Sequence, residues 1–147
     1  MGTAKASIKG HPIHPALVTI PIGLWTGTVL ADGAYLLGKA SIWLNLSLWT
    51  DATGVAFALL AAFFGLLDYS DIKAESLKRL ATFHMLLNLV AVILFTVSAY
   101  LLGEAIGRGT TPATALCIQL IAFAGLMLGG YIGGELVFRH GMGVTNQ

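Results

Sequence analysis

LATFHMLLNLVAVILFTVSAYLL, residues 80–102, contains no Asp, Glu, Lys or Arg. A helix of this length is about 34 Å long at 1.5 Å per residue, enough to cross a hydrocarbon core of roughly 30 Å. Three more apolar stretches of similar length lie at about 15–37, 43–67 and 114–137. Of the 147 residues, 56% are hydrophobic and 10% charged, and mean hydropathy is +0.83. Soluble domains carry about 25% charge. A soluble core of this size has no room for so much apolar surface, so the bilayer must serve as solvent.

The links are short. Residues 38–41 form a turn, 68–79 a polar segment that should hold an interfacial helix, and 103–112 a Gly- and Thr-Thr-Pro-broken loop. Short links place consecutive helices antiparallel. The expected fold is all-α, an integral membrane antiparallel four-helix bundle in one domain over 1–147, with no evident internal repeat. Pro12 and Pro15 suit a helix start, whereas Pro21 should kink the first span. Lys5 and Lys9 precede an apolar run longer than the roughly 7–15 residues of a signal core, so that run is read as a retained span. Lys5, Lys9, Lys73, Lys78, Arg79 and Arg139 fall at one end of the bundle, and only Lys39 and Arg108 at the other. The positive-inside rule then makes both termini cytoplasmic. Trp43 and Trp49 belong near the opposite interface.

The even number of spans gathers all four histidines at one end. His11 and His14 precede the first span, His84 lies about one turn inside the third, and His140 follows the fourth. Asp68 and Glu135 share that layer. Ionisable side chains near hydrocarbon are costly and need a partner or a role. Two neutral imidazoles on different helices, with small residues beside them, suit a b-type haem. His84 is the best ligand candidate, with His14 or His140 opposite and Asp68 tuning the site. The alternative is a transition-metal ion held by His11, His14, His84, His140 and Asp68, or no cofactor at all. Asn88, one turn deeper than His84, could position a ligand or serve as an interhelical hydrogen bond.

Gly125, Gly129 and Gly133 step by four along the last span, a spacing that favours close helix packing or homodimerisation, or a smooth wall for a flat cofactor. Asp32 and Asp51 lie toward the outer end, where they could face each other and share a proton or bind a cation, but solvation or helix capping is the favoured expectation. Polar groups through the middle are sparse, so a small-ion or proton transporter has thin support. The lone Cys117 permits no intrachain disulfide and no cysteine metal site. The net charge of +1 argues for no nucleic-acid partner. No phosphate loop and no nucleophile–base pair is present, so independent enzyme activity is not expected.

Several segments together resemble the bacterial domain-of-unknown-function family 2231. They are His11-Pro-Ile-His14-Pro-Ala-Leu-Val, Pro21-Ile-Gly-Leu-Trp25, Gly65-Leu-Leu-Asp68, the His84 and Asn88 pair, and Gly133-Gly-Glu-Leu-Val-Phe-Arg-His140-Gly-Met-Gly-Val144. The resemblance implies a four-span protein of the bacterial inner membrane and marks His11, His14, Asp68, His84 and His140. Some relatives look fused to Rieske-type iron–sulfur domains, which this chain lacks the cysteines to build. Thr19 and Ile20 stand where relatives seem to carry another histidine. The expectation is a small membrane protein associated with electron transfer, in contact with lipid and with other membrane subunits or copies of itself. An accessory subunit of a respiratory or photosynthetic complex is the alternative.

Overall fold

The computed structural model describes residues 6–143. A two-residue hairpin, β1 (Ser7–Ile8) against β2 (His11–Pro12), leads directly into α1 (Ile13–Gly38). Its turn places Lys9 and Gly10 at positive φ. The remaining helices are α2 (Ser41–Ser70), α3 (Glu75–Arg108) and α4 (Ala113–Gly134), the last continued by a π-helical turn, Glu135–Arg139. All four are long and apolar enough to cross a membrane. They form one antiparallel bundle, in which α1 packs chiefly on α2 and α3 chiefly on α4.

One local expectation changes. The polar segment 68–79 holds no interfacial helix: α2 runs on to Ser70, and α3 begins at Glu75 after a short link. Glu75 places an acid in the first turn of α3, where the helix dipole favours one. Pro21 is buried within α1, which is helical throughout Ile13–Gly38.

The bundle exposes its large apolar side chains and buries a polar group among small and apolar ones, unlike a soluble domain. Leu37, Trp49, Phe63, Ile121 and many like them are exposed, whereas Thr28, Asp32, Ser47, Asp51, Ser98 and Gln119 are buried. Lipid solvates the Leu and Phe side chains, so only van der Waals packing and hydrogen bonds hold the helices together. Packing is accordingly built on small residues. Ala58, Ala91 and Ala122 surround a central stack of Trp25 on Phe95, with ring centres 4.1 Å apart and planes within 7°. Gly54 is bare because Trp25 occupies its side-chain space; a Cβ there would lie 2.6 Å from the indole Nε1.

The two hairpins repeat each other, contrary to the expectation of no repeat. A shift of 70 residues carries His14, Trp25, Thr28 and Asp32 of α1 onto His84, Phe95, Ser98 and Leu102 of α3. A shift of 68 carries Ser47, Asp51, Gly54, Ala61 and Gly65 of α2 onto Ala115, Gln119, Ala122, Gly129 and Gly133 of α4. Three of these pairs touch their own equivalents: His14 with His84, Trp25 with Phe95, and Asp51 with Gln119. The two hairpins are thus related by an approximate two-fold axis running along the bundle, with His14 and His84 tied in the same way to Ala61 and Gly129.

Candidate functional site: a paired-imidazole centre

His14 and His84 face each other across the seam between the hairpins. Their ring centres are 6.2 Å apart and their planes nearly perpendicular, at 86°. Each ring is tied to the partner helix of its own hairpin. His14 Nδ1 lies 2.8 Å from the Ala61 carbonyl, and His84 Nδ1 lies 2.8 Å from the Gly129 carbonyl. A carbonyl can only accept, so Nδ1 carries the proton in both rings and the neutral form keeps its lone pair on Nε2.

The repeat explains how a helix can offer those carbonyls. The Cβ of residue i+4 leans back toward carbonyl i and normally shields it. Here the residues four along are Gly65 and Gly133. A Cβ on Gly65 would lie 2.9 Å from His14 Nδ1, and one on Gly133 would lie 2.8 Å from His84 Cε1. The missing side chains let each imidazole settle onto backbone. The glycine steps of the last span are thus used within the chain: Gly133 receives His84 and Gly129 receives the Asn88 amide, whereas Gly125 and Gly130 meet nothing within 4 Å.

Asn88 supports His84 from its own helix. Its Nδ2 donates to the His84 carbonyl at 2.7 Å and lies 3.3 Å from His84 Nδ1. Since that nitrogen already gives its proton to Gly129, the carbonyl is the real acceptor. Asn88 fills the space above Gly129 and limits how far the ring can tilt.

The other marked residues lie apart from the pair. His11 is exposed in β2, with Nδ1 3.2 Å from the Lys9 carbonyl. His140 is exposed just past the π-helical turn. Asp68 Oδ1 accepts the Ala6 backbone N–H at 3.1 Å, and Ala6 in turn accepts from the Ile13 N–H. Asp68 thereby moors the hairpin that delivers His14. Among the described residues, no group of three or more His, Cys, Asp and Glu converges into a metal site, so the five-residue ligand set of His11, His14, His84, His140 and Asp68 does not assemble. Stiff Pro12 and Pro15 hold His11 outside the bundle while helix α1 carries His14 inward.

A second polar constellation lies near the other end, where the sequence reading expected solvated carboxylates. Asp32 and Asp51 are instead buried, at 3% and 0% exposure. Ser47 Oγ donates to Asp32 Oδ1 at 2.6 Å. Ser98 Oγ and Gln119 Nε2 both donate to Asp51 Oδ2, at 2.7 and 3.0 Å. The inward face of each helix could have been found from the 3.6-residue period through Ser47, Asp51 and Gly54, but in an almost uniformly apolar span that period is faint.

A family described as predicted membrane protein (DUF2231) matches residues 10–146. No curated protein and no solved structure matches the chain significantly.

Proposed function

This chain belongs to the predicted membrane protein family DUF2231, and from that premise we propose that it binds a b-type haem between His14 and His84 and passes single electrons within a bacterial inner membrane. The observation that carries this reading is the pair itself. Two imidazole nitrogens bonded at about 2.0–2.1 Å to one ion, with each ring centre about 1 Å further back, put the ring centres about 6 Å apart. The observed 6.2 Å fits that spacing. A bare ion would gain only two protein donors, whereas a porphyrin brings its own four equatorial nitrogens.

The chain's residues have definite tasks on this reading. The Ala61 and Gly129 carbonyls fix both tautomers and make each Nε2 a better donor, as second-layer partners of metal-bound histidines do. Asn88 holds the His84 ring against rotation. Gly65 and Gly133 keep the rings seated on backbone. The pair lies at the seam between hairpins, where helices pack less closely than within each hairpin. The apolar surroundings exclude water and would supply the low dielectric that tunes a redox potential. Haem so held supplies reversible one-electron transfer at its iron.

The test is the optical spectrum of the full chain purified in detergent after haem-supplemented expression. A low-spin, six-coordinate spectrum is expected, lost or converted to high spin in His14→Ala and His84→Ala and kept in His11→Ala, His140→Ala and Asp68→Asn. Metal analysis without haem absorbance, or a spectrum indifferent to His14→Ala and His84→Ala, would overturn the assignment.

A further inference from the structure

We propose that the buried cluster of Asp32, Asp51, Gln119 and Ser47 is a binding site for a small hard metal cation, independent of the histidine pair. Three oxygens in it are buried with no hydrogen-bond partner: Asp32 Oδ2, Asp51 Oδ1 and Gln119 Oε1. They come from α1, α2 and α4. Hydrogen bonds draw their side chains together, because Ser47 Oγ donates to Asp32 and lies 3.4 Å from Gln119 Nε2, which itself donates to Asp51. Gln119, fully buried, thus bonds Asp51 directly and is linked to Asp32 through Ser47, while its carbonyl oxygen stays unused.

Charge makes the same case. Two carboxylates inside a membrane bundle require a counter-charge. The basic residues of that end are occupied elsewhere: Arg108 pairs with Glu104, and Lys39 lies over the Tyr35 ring. Every free donor in the cluster is an oxygen, which selects hard cations such as Na⁺ or Ca²⁺ over softer transition metals. Apolar groups flank the cluster along the bundle. Leu44 and Leu116, one turn outward of Ser47 and Gln119 on their own helices, belong with Leu102 to one buried apolar group. The Trp25–Phe95 stack lies on the histidine side, and Trp25 Nε1 donates to the Asp51 carbonyl at 3.3 Å. A cation held among such buried groups would exchange slowly.

The experiment uses the full chain in detergent at constant ionic strength. Equilibrium binding of radiolabelled Na⁺ and, separately, Ca²⁺ is measured, and thermal unfolding is followed in NaCl, LiCl, KCl, CaCl₂ and choline chloride. Saturable binding of Na⁺ or Ca²⁺ is expected, with a midpoint temperature that rises with the logarithm of that cation alone. Asp51→Asn and Asp32→Asn should each weaken binding by at least about tenfold, the loss typical of a disturbed metal site. Should either variant fail to fold, Gln119→Met removes one oxygen donor at nearly constant length and must weaken binding in the same way. His14→Ala should leave cation binding unchanged, which separates this result from the fate of the haem assignment. Absence of saturable binding in the wild-type chain, or binding undiminished in the variants, would overturn the proposal and leave protons as the counter-charge.

Discussion

Replacing Gly133 by alanine tests the seating of His84 at a single methyl group. The new Cβ would lie 2.8 Å from His84 Cε1 and 3.1 Å from Nδ1, where ordinary contact begins at 3.4 Å. The ring must therefore retreat by about 0.6 Å, and a retreat of that size stretches the 2.8 Å bond to Gly129 to the edge of hydrogen bonding. Overpacking of this kind costs about 1–3 kcal/mol. Against it stands the gain from replacing a helical glycine by alanine, roughly 0.5–1 kcal/mol. The net loss should lie between about 0 and 2.5 kcal/mol. Gly130→Ala is the matched control: one helical position among open space gives the gain without the clash. Thermal unfolding of the two variants in one detergent reads the difference directly. The displaced imidazole should also lower affinity for added haem by roughly 10–100-fold, as loss of second-layer support does. Should Gly133→Ala match Gly130→Ala in both stability and haem affinity, the account of the imidazole resting on bare backbone is wrong.

Other substitutions separate the parts of the fold. Gly54→Ala should be the more severe glycine change, about 2–3 kcal/mol, because the Trp25 indole it strikes is pinned by Phe95 and cannot swing away; denaturant unfolding measures it. Asp68→Ala removes the acceptor for the Ala6 N–H and should free the N-terminal hairpin, seen as faster proteolysis before α1, at a global cost of only about 1 kcal/mol. Glu104→Gln should change stability by less than about 0.5 kcal/mol, since its partner Arg108 is exposed and such i,i+4 pairs contribute little. Tagging each terminus should report both on one side of the membrane.

The spans were legible because bilayer solvation demands long apolar runs, and residues 80–102 meet that demand without a single acidic or basic side chain. Their ends were less so. The polar composition of 68–79 suits a surface helix, yet α2 and α3 simply extend into it. The meeting of His14 with His84 followed from counting spans, but counting could not separate it from His140 or His11, which share the layer and stay exposed. The carboxylates were misplaced because depth along a span says nothing about rotation around it: Asp51 sits early in α2 and still points inward, where Ser98 and Gln119 await it. The likeness of the two hairpins was hidden by different residues at matching positions, Trp25 and Phe95, Asp51 and Gln119, Gly54 and Ala122, and by offsets that differ between the two helix pairs.

Joining both hairpins in one polypeptide removes a constraint that identical subunits cannot escape. On a true dyad, a residue at the axis meets a copy of itself, so at that position an acid would oppose an acid. Tandem fusion lets the position carry Asp51 on one side and an amide, Gln119, on the other, so that one half donates what its sibling accepts. The same freedom applies at the aromatic layer, where the larger Trp25 lies over Gly54 and the smaller Phe95 occupies the half that carries Ala122. Asymmetry at the seam is thus a product of covalent linkage, and two separate hairpins of one sequence could not reproduce it.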